Sequence, residues 1–370
     1  MKLTVPENIA AIIPYPPGKP QDELEREYGI TESIKLASNE NPWGPSPKAV
    51  AAIQEMVTGL HRYPDGSSYY LTQALARWVG AAPEEIVLGN GSNEVIEFLV
   101  KAFVQAGDEV ITSHPSFLMY QKFVQVRGGS NIVIELRDME HDLEAIAGAV
   151  TERTRLIFLD NPNNPCATLI SKDRFAEFLQ RLPETVIVVL DEAYVDFVDP
   201  EERIDVLDLI ANPAGIPAVV ALRTFSKAFG LAGLRVGFGI MHADIASLLH
   251  RVRQPFNINL PGQIGALAAL DDPEHYNKTM DGNRKGLQWL TEQVQALGCR
   301  PYPSYTNFFL IDVRGDATAL YEAMLHKGVI VRSMKAYGYP DFIRITVGTE
   351  SENSRFIAAL QECLGELAYV

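Results

Sequence analysis

From about residue 46 to residue 255 the chain repeats one texture. A short apolar run rich in β-branched residues is followed by a segment whose apolar residues recur at helical spacing. The runs read "EEIVLG", "DEVITS", "SNIVIEL", "TRLIFLD", "TVIVVLDEAY" and "AVVALRTFSK". Helical segments fall between them over about 93–105 and 117–127. A third starts after Ser171, an N-cap residue that leaves Phe175, Phe178 and Leu179 in phase. Strands joined by single helices run parallel, and a parallel sheet is buried on both faces. The pattern therefore predicts an α/β fold whose large domain has a mostly parallel sheet sandwiched by helices. An earlier helix is expected after Ser46, with Pro47 in its first turn and Val50, Ile53, Val57 and Leu60 on one face.

The flanks differ. Residues 1–35 are irregular and proline-rich, and are expected to form an arm with a short helix that packs on the small domain or on a partner subunit. After "QPFNINLPG" come two helical segments, over 263–270 and 280–297. They precede "TNFFLIDV", a helix, "GVIVRSM", "DFIRITVG" and a last helix from Glu352. This suggests a smaller α+β domain. The expected division is an arm over 1–35, a large domain over 36–255 and a small domain over 256–370.

Bulk properties exclude several functions. Lys and Arg number 32 against 47 Asp and Glu, a net charge of −15. Such a balance disfavours nucleic acid or an anionic membrane as partner. The longest apolar stretches, such as "VIVVL", are far shorter than the roughly 20 residues of a membrane span. The start carries no apolar core of a signal peptide, so a cytoplasmic location is expected. Cys166, Cys299 and Cys363 are scattered, and the seven histidines show no ligand pairing, so neither disulfides nor a metal site are expected.

In an open parallel sheet ligands sit at the carboxyl ends of the strands. Here those ends read "NGSNE", "DNPNNP", "DEAY" and "RTFSK". Gly89, Gly91 and Ser92 leave backbone amides and a helix start free for an anion. The Asn- and Pro-rich turn aims amides into the cleft. Asp191 stands just past a buried strand with Tyr194 close behind, and Thr224, Ser226 and Lys227 end the last run. Asp160 and Asp191 as plain turn caps account for less of the pattern. A dinucleotide fingerprint fails because Glu94 takes the place of its third glycine. Lys227 lies between Phe225, Ser226, Ala228 and Phe229. Apolar company suits an amine that must lose its proton and attack a carbonyl. These ends ask for a ligand with a phosphate, a cationic aromatic nitrogen opposite Asp191 and an aldehyde for Lys227. Pyridoxal phosphate has all three.

The motifs "PNNP", "LDEAY", "TFSKAFGLAGLRVGF" and "RITVG", in that order, resemble those of fold-type-I pyridoxal-phosphate aminotransferases. "PYPPGKP", "KLASNENPWGPSP", "RYPDGS" and "GNGSNEVIEFLVKAF" are similar to the histidinol-phosphate subgroup, over about 12–360. The resemblance implies a transaminase that moves an amino group between histidinol phosphate and 2-oxoglutarate, giving glutamate. It implies that Lys227 bonds the cofactor aldehyde and moves the proton, and that Asp191 pairs with the ring nitrogen. Asn164 and Tyr194 are implied at the ring hydroxyl, and Phe117 stacks on the ring. Thr224, Ser226, Arg235 and the amides of Ser92 and Asn93 are implied to hold the cofactor phosphate. Tyr63 reaches the phosphate of the other subunit, which makes a homodimer the implied assembly. Arg344 is implied to bind the substrate anion, with Arg332, Tyr15 and Tyr120 near the substrate. Two details depart from the resemblance. "PNNPCA" places Cys166 and Ala167 where relatives have Thr-Gly, and Phe117 stands where many carry Tyr. An aromatic aminotransferase, or a decarboxylase of threonine phosphate, shares the same motifs.

Overall fold

The computed structural model describes residues 3–14 and 20–369. Seven strands form the large sheet, in the spatial order Ile86–Gly89, Gly237–Ile240, Ala218–Thr224, Ile187–Asp191, Thr154–Asp160, Glu109–His114, Ser130–Glu135. All neighbouring pairs are parallel except those of Gly237–Ile240, which runs antiparallel to both of its neighbours. The apolar runs divide by alternation. Val188 and Leu190 pack into the core on one face, and Val189 with Ile187 into the core on the other. This two-sided burial is why these runs carry almost no polar residue.

The strand Gly237–Ile240 was not expected from the sequence, because half of it is glycine. Packing explains the glycines. A Cβ on Gly237 would lie 2.1 Å from the Ser92 amide nitrogen, so only glycine admits the helix start there.

Ser46 caps the helix Pro47–Met56 and accepts from the amides of Lys48 and Ala49. The face bearing Val50, Val57 and Leu60 is exposed in the single chain, and only Ala49 of that helix is buried. Tyr63, Tyr69 and Tyr70 are exposed nearby in sequence. The arm contains two helices rather than one, Glu7–Ala10 and Gln21–Tyr28.

A smaller antiparallel sheet has the order Arg332–Ser333, Phe342–Thr346, Phe308–Asp312, Arg300–Pro301. Its Ile343, Ile345 and Phe309 join Phe356, Leu360 and Leu320 in a second core. "GVIVRSM" does not form one strand. Val329–Ile330 pairs in parallel with Ile34–Lys35, and after Val331 the chain turns into the small sheet at Arg332. The last helix starts at Glu350, two residues early, where Thr349 and Glu352 form a capping box.

Helix Leu260–Leu270 follows the expected boundary near 255, yet it packs on the helices Pro47–Met56 and Tyr69–Val79. The next helix, Pro273–Ala296, carries Tyr276 and Met280 against the large core and Leu290 and Val294 in the small one. One helix thus crosses from core to core. Among the described residues no helix is long and apolar enough to cross a membrane.

Candidate active site

The strand ends converge on a cavity of about 320 Å3 between the two sheets. Thirteen of the side chains singled out in the sequence line it: Ser92, Asn93, Phe117, Tyr120, Asn164, Asp191, Tyr194, Thr224, Ser226, Lys227, Arg235, Arg332 and Arg344. Tyr63 does not; it is 82% exposed and stacks on Phe256 at 5.0 Å. Tyr15 lies outside the described residues.

One end of the cavity is built for an anion. The helix Ser92–Phe103 starts after Gly91, whose φ of 80° suits glycine and which supplies no side-chain cap. A Cβ at Gly91 would lie 2.6 Å from an Arg235 nitrogen. Arg235 reaches Ser226 Oγ at 3.3 Å, and Thr224 Oγ1 donates to Ser226 Oγ at 3.0 Å. Asn93 Oδ1 is buried without a hydrogen-bond partner. Uncapped amides, two hydroxyls and a guanidinium form a phosphate cradle.

Asp160 and Asp191 end adjacent strands and stand opposite each other in register. Asp160 shapes the next loop: Oδ2 accepts from the Asn164 amide at 2.9 Å, and Oδ1 from Asn163 Nδ2 at 3.1 Å. Asp191 is 6% exposed. Burial pushes its carboxyl up to about 7, and neighbouring Asp160 adds to this, while a hydrogen bond from Tyr120 opposes it. A buried carboxylate whose one side-chain donor among the described residues is a tyrosine is suited to a cationic ring nitrogen.

Lys227 Nζ donates to the Ser38 carbonyl at 3.2 Å and lies 5.6 Å from the Tyr194 ring centre. Burial pulls its amine down to about 8, with Arg344 and Arg235 lowering it and Glu40 raising it. Near neutral pH a useful share of this amine is therefore uncharged, as a nucleophile requires. Asn164 Nδ2 points to the Tyr194 hydroxyl at 3.5 Å, and its Oδ1 accepts from Arg344. Arg344 is buried and lies over Phe308 at 4.9 Å, and it pairs in register with Arg332.

The two departures resolve locally. Ala167 takes φ of 61°, at a cost of about 1 kcal/mol for a non-glycine residue. Its buried methyl packs with Tyr194 and Phe308, which offsets about 0.8 kcal/mol of that. Cys166 is buried with Leu310 and Met334, against Tyr302, Tyr337 and Tyr339. Tyr120 lines the cavity, is 0% exposed, and its hydroxyl donates to Asp191 at 2.8 Å.

Three contributors were missed. Asn39 donates to the Tyr194 hydroxyl at 2.8 Å and receives Thr346 Oγ1 at 3.3 Å, tying the two sheets together at the site. His141 bridges Ser113 at 2.7 Å and the Asp160 carbonyl at 3.0 Å. Glu40 lines the cavity and pairs with Lys35 at 3.1 Å. "KLASNENP" was visible as a motif, but the long-range contacts of Asn39 and Glu40 had no local signal.

The family model for aminotransferase class I and II matches residues 31–360. A histidinol-phosphate aminotransferase from Desulfotalea psychrophila is 64% identical over 370 residues, covering 100% of this chain and 98% of that protein. One from Moorella thermoacetica is 45% identical, covering 98% of this chain and 94% of that protein. The structure of histidinol-phosphate aminotransferase from Sinorhizobium meliloti in complex with pyridoxal-5'-phosphate superposes with a TM-score of 0.89. It is 30% identical, and the match covers 98% of this chain and 97% of that one.

Proposed function

The chain belongs to the aminotransferase class I and II family, and on that premise we propose that it is a histidinol-phosphate transaminase. It moves the amino group between L-histidinol phosphate and 2-oxoglutarate, giving imidazole acetol phosphate and glutamate, in L-histidine biosynthesis. The observation that carries the substrate is the pair Arg332 and Arg344, opposite each other on adjacent strands and lining the cavity of Lys227. Two guanidiniums suit a dianionic phosphate, and either suits the carboxylates of glutamate.

The cofactor is pyridoxal phosphate, and the residues present fit it: the uncapped helix start receives phosphate, Asp191 the ring nitrogen, Asn164 and Tyr194 the ring hydroxyl. Bound pyridoxal phosphate supplies an aldehyde for the amine and a ring that spreads the electrons left at Cα. Lys227 Nζ, once uncharged, would take the Cα proton and return it to the cofactor's former aldehyde carbon, two bonds away. Asp191 holds the proton on the ring nitrogen. Phe117 packs on the ring, while Thr224, Ser226, Arg235 and the amides of Ser92 and Asn93 anchor its phosphate.

Donor preference tests the substrate. With 2-oxoglutarate as acceptor, kcat/KM for histidinol phosphate should exceed that for phenylalanine by at least about a hundredfold, because phenylalanine leaves the paired guanidiniums with one less charge to bind. Equal values would make the enzyme an aromatic aminotransferase. Carbon dioxide released from threonine phosphate would make it a decarboxylase.

The functional unit is a homodimer in which Tyr63 reaches the cofactor phosphate of the other subunit. Its 82% exposure and its place outside its own cavity support this, as does the exposed face of Val57 and Leu60. Tyr63→Ala should weaken cofactor binding about tenfold, the worth of one hydrogen bond to a charged group. Mixing it with Lys227→Ala under subunit exchange should return wild-type cofactor affinity to about a quarter of all sites, since half the dimers then hold one site of two with both Lys227 and Tyr63. No recovery on mixing would place Tyr63 in its own subunit's site or in none.

A further inference from the structure

Tyr120 makes a contact that the reaction above does not use. Its hydroxyl donates to Asp191 Oδ2 at 2.8 Å, and the whole side chain is 0% exposed. The ring lies flat on Phe158, with centroids 4.7 Å apart and planes 5° from parallel. The same ring stands edge-on to Phe117 at 5.4 Å and 81°. Phe158 belongs to the strand next to that of Asp191, opposite Val189. One rigid ring therefore touches both the residue proposed to stack on the cofactor and the residue proposed to pair with its nitrogen. Two aromatic side chains, Phe158 and Phe117, fix its position, so the hydroxyl has little freedom to point elsewhere.

Asp191 has few other donors. Its Oδ1 accepts from the Ala193 amide at 3.2 Å, and among the described residues Tyr120 is its one side-chain donor. The charged groups that face it work the other way. Asp160 stands on the adjacent strand and Glu192 follows in the chain, and both disfavour a charge on Asp191. Glu192 is held by Arg223 at 2.9 Å. The buried Tyr194 hydroxyl completes the surroundings and is kept protonated by burial.

We propose that Tyr120 is the positioning residue of Asp191, holding its carboxylate charged and aimed at the cofactor ring while bracing Phe117 on the ring's face. A hydrogen bond given to a carboxylate favours its charged form and is lost when the carboxylate takes a proton. Burial pushes the Tyr120 phenol far up, so it remains a donor at every working pH. The proposal rests on the reading of Asp191 as the partner of the cofactor nitrogen.

Tyr120→Phe keeps the ring and removes only the donor. The dissociation constant of pyridoxal phosphate is measured on this variant and on wild type by fluorescence quenching from pH 6 to 9. The acid limb of kcat/KM and the melting midpoint of the cofactor-free protein are measured on the same preparations. The expected result is a dissociation constant about tenfold higher near pH 7 that narrows towards wild type at pH 9, the loss of one charge-assisted hydrogen bond. The acid limb should move up by about half to one pH unit, with the melting midpoint little changed. Tyr120→Leu, which removes the ring as well, should show the same shift together with a lower midpoint. An unshifted acid limb and dissociation constant in Tyr120→Phe, with only Tyr120→Leu impaired, would reduce Tyr120 to a packing residue and overturn the proposal. Failure of wild type itself to bind pyridoxal phosphate would instead remove the reading of the site.

Discussion

Lys227→Ala lowers turnover by at least about 10^4-fold, the joint loss of the attacking amine and of the group that moves the proton. The substitution is not expected to disturb the fold. The hydrogen bond of Lys227 Nζ goes to a backbone carbonyl, that of Ser38, so its loss strands no side-chain partner. The phosphate cradle, with Arg235, Ser226 and the start of helix Ser92–Phe103, remains intact in the variant. Pyridoxal phosphate should therefore still bind, more weakly, with no covalent attachment. Lys227→Arg should be as inactive, because a guanidinium does not shed its proton at working pH. Small primary amines should restore part of the rate by entering the space that alanine leaves. Turnover of Lys227→Ala above about one part in a hundred of wild type, far more than general acid–base loss permits, would remove the lysine from the mechanism.

Asp191→Asn has two effects of opposite sign. Activity falls by about 10^2- to 10^3-fold, because a neutral amide does not hold the proton on the ring nitrogen. Asp191→Glu, which keeps the charge, should lose less. Stability of the cofactor-free protein changes the other way. The Asp191 carboxyl is pushed up to about 7 in the folded protein, from an ordinary value of 3.8. A raised carboxyl binds its proton more tightly when folded, so its contribution is present below about pH 4 and lost as pH rises through 7. At about 1.4 kcal/mol for each pH unit between the two values, that loss is on the order of a few kcal/mol. Asparagine carries no such penalty. Cofactor-free Asp191→Asn should thus melt above wild type at pH 8 and close to it at pH 4. A wild-type protein more stable than the variant at pH 8 would show that Asp191 has a cationic partner even without cofactor.

The parallel order of the strands, and with it most of the site, was legible because burial on both faces forces continuous apolar runs. A polar residue that ends such a run stands out. Asp191, Lys227 and Ser92 were found this way, and the cavity gathers them. Arg344 was legible only in part, since alternation with Ile343 and Ile345 placed it off the small core without saying what it faced. The strand Gly237–Ile240 was hidden because Gly237, required by the Ser92 approach, and Gly239, pressed by Met241, erase the β-branched signal. The break at Val331 was hidden because no turn residue marks it, and only pairing separates the two halves into two sheets. Tyr120 illustrates the limit of local pattern. Its nearness to Phe117 in the chain placed it near the site, but its partner Asp191 lies 71 positions away. Asn39 and His141 share that condition: their roles are contacts between segments that are distant in the chain.

Covalent trapping decides whether Lys227 is the amine that bonds the cofactor. The pyridoxal-phosphate-loaded protein is reduced with borohydride, digested, and its peptides weighed. The expected product is one modified peptide, carrying the reduced cofactor on Lys227. Label on any other lysine, or none in a protein that retains the cofactor, would contradict it.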